Sequence, residues 1–268
     1  MAFDCVIEFF FLQSTDLLND DYSTKQTLKC KKSAGPVAVT IETARGEGGA
    51  LTSKVGTKFN YGKLNIDKAQ ATADGGQVLE TSMAVAPGMR VSFKSGKGAD
   101  LGIDYTKGNM YATGSLDVVE MSKFSGSACV ALPSGINAGA DVTYGLSGKT
   151  GITSLNAGAS YATGSLFGAV TTTNKFAAVN LGLTYAVNDK VTVASMSSHS
   201  GDNAFSLSAV GGSYKADFGT VKAKYAAGGV VSAALIKEIA PKVSLTASGT
   251  ASASDPASTF KYGVGIVM

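Results

Sequence analysis

The chain has 268 residues, a formal net charge of +3 at pH 7 and only 16% charged residues, with 33 glycines and no tryptophan. So small a charge excess excludes nucleic-acid binding through bulk charge, and so low a charged fraction is atypical of a protein surrounded by water. Three cysteines, Cys5, Cys30 and Cys129, have no metal-ligand spacing, so we expect free thiols and no metal site. The single histidine, His199, lies in a turn-like stretch without catalytic partners.

Residues 1–24 differ in pattern from the rest of the chain. The apolar run Phe9–Leu12 is too short to span a membrane as a helix, and it lacks the basic flank of a secretory signal. Apolar side chains recur at helical spacing, at Phe3, Val6, Ile7, Phe10 and Phe11. The spacing predicts a short amphipathic helix at residues 3–13, followed by Asp16–Tyr22 leading into the first strand. We therefore divide the chain into an N-terminal helical segment, residues 1–24, and a β-domain, residues 25–268.

From Lys25 onwards the sequence repeats a unit of about ten residues that alternates apolar and polar side chains and ends in a turn. Val179–Tyr185 is the clearest copy, and this period of two is typical of a strand with two different faces. Turn residues recur at each boundary, as a long antiparallel meander requires. About 19 strands are predicted, at 25–31, 37–43, 53–59, 63–69, 77–85, 89–95, 100–106, 110–118, 124–132, 136–144, 153–161, 165–172, 177–186, 190–196, 203–215, 220–226, 230–238, 242–250 and 259–268.

The two faces of these strands differ in chemistry. In one strand Met89, Val91 and Phe93 alternate with Arg90 and Lys94. The apolar sets are too small to fill a sandwich core about 10 Å thick, whereas lysines occupy the middles of the polar sets. Tyrosines lie near strand ends, as in the aromatic girdles of membrane barrels: Tyr61, Tyr105, Tyr144, Tyr161 and Tyr185. We predict an all-β fold, a closed transmembrane β-barrel whose apolar face meets lipid and whose polar face lines a water-filled lumen.

The predicted lumen carries an excess of positive charge. Its basic side chains would be Lys25, Lys29, Lys31, Lys54, Lys58, Arg90, Lys94, Lys190, Lys222, Lys224, Lys242 and Lys261. Acidic residues on the same face are fewer, for example Glu42 and Asp104. Fixed positive charge raises the local concentration of anions. The sequence therefore predicts passive flux of small anionic metabolites, nucleotides and phosphate included, with no catalytic step and no cofactor.

Several short stretches resemble the mitochondrial porin family, the voltage-dependent anion channels of the outer membrane. They are Asp16–Tyr22 followed by Lys25–Lys29, then Tyr61–Leu64, and the ending Tyr262–Ile266. With the strand count, the resemblance covers the chain from about residue 16. Nineteen strands is the number known for this family, so the count agrees with the resemblance without being independent of it.

The resemblance implies a channel in the mitochondrial outer membrane that exchanges ATP, ADP and phosphate with the cytosol. It also implies an N-terminal helix folded into the lumen and involved in gating, for which residues 3–13 are the candidate. The family's Gly-Leu-Lys element, linked to nucleotide binding, falls on Gly88-Met89-Arg90, which makes Gly88 and Arg90 candidate nucleotide contacts. Some members carry a lipid-facing Glu near Asp67. Asp67 is in the opposite phase to Leu64 and Ile66, so that role is not carried over. The expected partners are the lipid bilayer and permeant anions, with a homo-oligomer or a larger membrane assembly possible.

Two alternatives remain open at this point. One is the related 19-stranded mitochondrial protein-import pore, which should have a longer N-terminal segment and a more acidic or apolar lumen. The other is a soluble or surface β-protein with a structural role, which should purify as a monodisperse species without detergent.

Overall fold

The computed structural model describes residues 14–46, 48–148, 150–201 and 205–268. A helical stretch at residues 14–19 (α1) precedes the strands, and a short helix α2 (Pro256–Thr259), capped by the Asp255 side chain, precedes the last of them. The strands are β1 (Gln26–Ala34), β2 (Val37–Arg45), β3 (Leu51–Tyr61), β4 (Leu64–Thr72), β5 (Gln77–Ala86), β6 (Met89–Ser95), β7 (Ala99–Lys107), β8 (Met110–Asp117), β9 (Lys123–Ala131), β10 (Ile136–Gly145), β11 (Gly151–Thr163), β12 (Leu166–Thr173), β13 (Ala178–Ala186), β14 (Val191–Ser200), β15 (Ser206–Ala216), β16 (Gly219–Ala226), β17 (Val230–Ala240), β18 (Val243–Ser252) and β19 (Lys261–Val267).

All the strands belong to one closed sheet. Each strand pairs antiparallel with the next along the chain, and β1 pairs parallel with β19 from Gln26 opposite Val264 to Lys29 opposite Val267. The parallel pair follows from the odd strand number, because the first and last strands of a 19-stranded meander run in the same direction. The predicted closed barrel of about 19 strands is confirmed. Among the described residues, no helix is long and apolar enough to cross a membrane.

Side-chain exposure identifies the outer face of the barrel. Side chains on the convex outside of a closed sheet splay apart, whereas those on the concave inside converge and shield one another. On β13, Leu183 and Tyr185 are 53% and 46% exposed, whereas Thr184 between them is 7% exposed. The apolar set therefore lies outside and the polar set inside. The tyrosines near strand ends share the outward face: Tyr61, Tyr105, Tyr144, Tyr161 and Tyr185.

A β-bulge in β4 changes the phase of that strand. The pairing steps from Ile66 opposite Thr81 to Lys68 opposite Glu80, so Asp67 has no partner in β5, and the β3–β4 register shifts at the same place. Ile66 points outward while Lys68, two residues later, points inward. If β4 alternated regularly through Asp67, Lys68 would face lipid beside Ile66, so the bulge keeps a charged side chain in the lumen.

The largest difference from the sequence expectations lies before β1. The predicted helix at residues 3–13 falls outside the described residues. Residues 14–19, which follow the predicted helix within the N-terminal segment 1–24, are helical. Leu17 and Leu18 of this helix are 7% and 0% exposed because they pack on the barrel wall, and this contact was not evident from the local sequence.

Candidate functional site

The segment of residues 14–23 lies against the lumenal face of β13–β18. The Ser14 Oγ and Thr184 Oγ1 atoms are 2.8 Å apart. Leu18 is fully buried in a cluster with Ala194 and Ala209, whose small side chains leave room for it. The uncharged, small residues of β13–β15 therefore form the docking surface for the N-terminal segment.

Two lysines predicted to line the lumen hold this segment. The Lys222 Nζ lies 2.6 Å from Asp21 Oδ2 and donates to the Asp16 carbonyl oxygen at 3.2 Å. The Lys224 Nζ lies 4.6 Å from the centre of the Tyr22 ring, a cation–π contact. Burial, and then the neighbouring Asp21 carboxylate, raise the pKa of Tyr22 to about 12, so its hydroxyl stays protonated and donates to the Leu17 carbonyl oxygen. Lys222 and Lys224 thus use part of their charge to bind the N-terminal segment to the wall.

Acidification from pH 7 towards about pH 4, the range in which an aspartic acid ordinarily titrates, is expected to tighten the docking of this segment. Burial raises the pKa of Asp20, and the Asp16 and Asp21 carboxylates raise it further, against an opposing effect of Lys222. The docked segment therefore binds the proton more tightly than the undocked one, and this preference is lost as the pH rises through the raised pKa. Amide hydrogen exchange of residues 14–22, corrected for intrinsic rates, should slow at the lower pH. Asp20→Asn should remove this pH dependence, and an unchanged dependence in that variant would contradict the assignment.

Lysines on β1–β6, outside the docking surface, share one glutamate between two of them. The Glu42 carboxylate lies 3.3 Å from Lys29 Nζ and 2.8 Å from Lys54 Nζ, across β1, β2 and β3. We call these three residues the first triad. A second triad crosses β4, β5 and β6, where Glu80 lies 4.0 Å from Lys68 Nζ and 3.9 Å from Lys94 Nζ. Each triad carries two ammonium groups and one carboxylate, so each leaves a net positive charge facing the lumen.

Arg90 forms a salt bridge with Asp67 and lies opposite Asp104 of β7 in the strand register. Its Nη2 lies 3.0 Å from both Asp67 carboxylate oxygens and also donates to Ser82 Oγ, which in turn donates to Asp67. Asp67 therefore faces the lumen, as its phase indicates. Gly88 has φ +75 in the β5–β6 turn, and a Cβ there would overlap the Thr106 carbonyl oxygen, so the turn requires glycine. The nucleotide contacts expected at Gly88 and Arg90 stay predictions.

The remaining predicted lumenal lysines fall into two groups. Lys31, Lys58 and Lys261 lie on the inward face of β1, β3 and β19. Lys25 precedes β1, Lys190 precedes β14, and Lys242, with φ +68, lies in the β17–β18 turn, so these three are at the ends of the barrel.

Sequence reasoning missed several inward charges, because their partners across the sheet follow from register and not from local pattern. They are Lys68, Lys123, Lys215, Glu80, Asp100, Asp117, Asp141 and Glu238. The lumen is therefore richer in acids than the sequence indicated, and most of these acids lie on β4–β10. No cluster of metal-ligating side chains occurs within the described ranges.

The arrangement is a tube with an apolar exterior and a hydrated interior carrying fixed charge. The model of the eukaryotic porin family matches residues 12–263. The chain belongs to the eukaryotic porin family. This porin is thus a pore-forming membrane channel, and the outward apolar face rules against the soluble β-protein alternative. No curated protein matches the sequence.

Solved structures similar to this porin include bacterial porins. They include engineered variants of the Rhodopseudomonas blastica porin, each with 89% of this chain and 94% of that chain covered. A double mutant has a TM-score of 0.51 at 12% identity, and two triple mutants have TM-scores of 0.50 at 13% and 12% identity. At this identity the likeness concerns the fold alone, and it agrees with a large barrel open along its axis.

Proposed function

We propose that this porin is a voltage-dependent, anion-preferring channel of the mitochondrial outer membrane, through which small anionic metabolites and nucleotides diffuse passively. The observation that carries the proposal is the pair of Lys–Glu–Lys triads on the lumenal wall. Each triad holds more positive than negative charge within hydrogen-bonding or ion-pairing distance. Fixed charge of this sign lowers the barrier for anions and raises it for cations.

The permeants follow from size and charge. A lumen wide enough to hold the segment of residues 14–23 on one wall leaves an aqueous path along the other, and a 19-stranded barrel lies near the size range of open porins. Chloride, phosphate, ADP and ATP are the anions we assign as permeants. The eukaryotic family supports the outer mitochondrial membrane as the location.

Voltage dependence fits the docked N-terminal segment. Its acidic residues Asp16, Asp20 and Asp21 face Lys222 across a contact that includes an ion pair of 2.6 Å. Moving one elementary charge through the membrane field changes the energy by about 2.3 kcal/mol per 100 mV. Displacement of this segment would therefore couple the applied voltage to the number of fixed charges exposed in the lumen.

A bilayer measurement tests the selectivity. With the full chain in a planar bilayer and a KCl gradient across it, the reversal potential should have the sign of chloride preference. The double variant Lys29→Gln/Lys54→Gln turns the first triad from net positive to net negative and should lower that preference. Lys32→Gln is the matched control, since Lys32 lies on β1 but points outward beside Leu28 and Cys30.

Two outcomes would overturn the proposal. Cation preference of the unmodified channel would remove the anion assignment and favour the import-pore alternative. An equal loss of chloride preference in Lys32→Gln and in the double variant would show that the triads are not the source of the selectivity.

A further inference from the structure

The β4 bulge creates a charge-balanced site on the three strands that also carry the second triad. Asp67 is the extra residue of the bulge and points inward, where its carboxylate meets the guanidinium of Arg90 from β6. Ser82 of β5, only 3% exposed, lies between them and bonds to both. Three strands thus contribute one side chain each to the cluster Asp67–Ser82–Arg90.

This cluster differs from the two triads in its charge balance. In each triad one carboxylate is shared by two lysines and a positive charge remains. In the cluster one carboxylate faces one guanidinium, with Nη2 at 3.0 Å from both carboxylate oxygens. The side chains of Arg90 and Asp67 are 37% and 28% exposed, so both reach the lumenal water while remaining paired.

We propose that Asp67 is a specificity-determining residue that withdraws Arg90 from anion binding. An unpaired guanidinium on the wall would be the strongest site in the lumen for an oligophosphate, because its planar donors match phosphate oxygens. The Asp67 carboxylate accepts hydrogen bonds from the Arg90 guanidinium in place of a phosphate. The pair therefore acts as an inert part of the wall, and multivalent anions pass it without being held.

The inference rests on the proposed function, since it concerns how anions move through the same lumen. It also assigns a purpose to the bulge beyond the inward placement of Lys68. A residue inserted at that point with a neutral side chain would preserve the phase of β4 but remove the carboxylate that Arg90 contacts at 3.0 Å.

Block of the chloride current by inorganic tripolyphosphate measures the availability of Arg90. The channel is studied as the wild type, as Asp67→Asn, and as the double variant Asp67→Asn/Arg90→Gln, which replaces the ion pair by two neutral amides. We expect the wild type and the double variant to be blocked at concentrations that agree within about twofold. Asp67→Asn should be blocked at about tenfold lower concentration, the size of one charge-assisted hydrogen bond.

Asp141→Asn is the matched control for the general field. Asp141 lies on β10, six strands from Asp67 and four from Arg90, faces the lumen and accepts a hydrogen bond from the Asn156 amide. Neutralising Asp141 changes the net charge of the lumen by the same amount without touching Arg90. The tripolyphosphate concentration that blocks this variant should therefore differ from the wild-type value by less than about twofold. If Asp67→Asn does not insert, Asp67→Ser serves in its place, because it keeps a short polar residue at the bulge.

Two results would overturn the inference. A double variant that is blocked much more weakly than the wild type would show that Arg90 already binds anions. An equal increase in sensitivity to tripolyphosphate in Asp141→Asn and Asp67→Asn would show that the increase comes from the general electrostatic field of the lumen. Failure of the proposed function looks different, because it appears in the wild type alone as cation preference in the KCl gradient, whatever the variants do.

Discussion

Gly263→Ala is expected to displace the N-terminal segment from the barrel wall and to lower the stability of the barrel by about 1–3 kcal/mol, the usual range for overpacking. Gly263 faces the lumen near the start of β19. Residues 23–25 pass close to this position just before β1 begins. A Cβ there would overlap the Ser23 carbonyl oxygen and lie 2.8 Å from the Lys25 carbonyl oxygen. Backbone atoms cannot rotate away as a flexible side chain can, so residues 23–25 must move.

The displacement should propagate in two directions. The Ser23 carbonyl oxygen also accepts a hydrogen bond from Ser248 Oγ at 2.5 Å, and that bond would be lost. On the other side, the parallel closure of the barrel begins at Gln26 opposite Val264, so the seam itself would be disturbed. We therefore expect both a lower unfolding temperature in detergent and faster protease cleavage near residue 25.

Gly56→Ala provides the matched control for Gly263→Ala. Gly56 is also a lumen-facing glycine within a strand, but its nearest atoms to an added Cβ lie at 3.8 Å or more, an ordinary contact. This variant should unfold at nearly the wild-type temperature and resist the protease. Equal behaviour of the two variants would show that the close approach at Gly263 does not hold the segment.

The sequence predicted those parts of the fold that depend on alternation alone. Period-two patterning is sufficient for the strand number, for the apolar exterior and for the inward direction of Arg90 and Lys94, because each depends only on local phase. The same reasoning failed for Lys68, which shares its parity with Leu64 and Ile66. Only the extra residue in β4 separates them, and a bulge leaves no mark in a pattern of this length.

Register accounts for most of what the sequence left out of the candidate site. Glu80 lies between Lys68 and Lys94 because β5 pairs with β4 and β6 at one particular offset, and a shift of two residues would preserve the faces and lose the triad. For the same reason the sequence overestimated the number of unpaired cations in the lumen. The lumen is positive, but its charge is organised in pairs and triads, so its selectivity depends on acids as much as on lysines.

Leu18→Ala is expected to release the N-terminal segment from the wall with a loss of about 2–5 kcal/mol in docking free energy, the range measured when a buried leucine is truncated. Leu18 is fully buried and belongs to the cluster with Leu17, Ala194 and Ala209. A methyl group added at Gly211 would come within 2.9 Å of its Cδ2 atom, so the wall fits closely around it. The polar contacts of the segment are fewer and partly exposed to lumenal water, where ion pairs contribute less.

Amide hydrogen exchange of residues 14–22 measures this release directly, and single-channel recordings should show more frequent changes of conductance as the segment leaves the wall. Leu183→Ala is the control. Leu183 points outward on β13, so this substitution removes the same atoms from the lipid-facing side. It should leave the exchange of residues 14–22 unchanged. If Leu18→Ala kept wild-type protection, docking would depend on Lys222 and its contacts with Asp21 and the Asp16 carbonyl oxygen. The segment would then respond to ionic strength, because screening weakens an ion pair but leaves apolar packing intact.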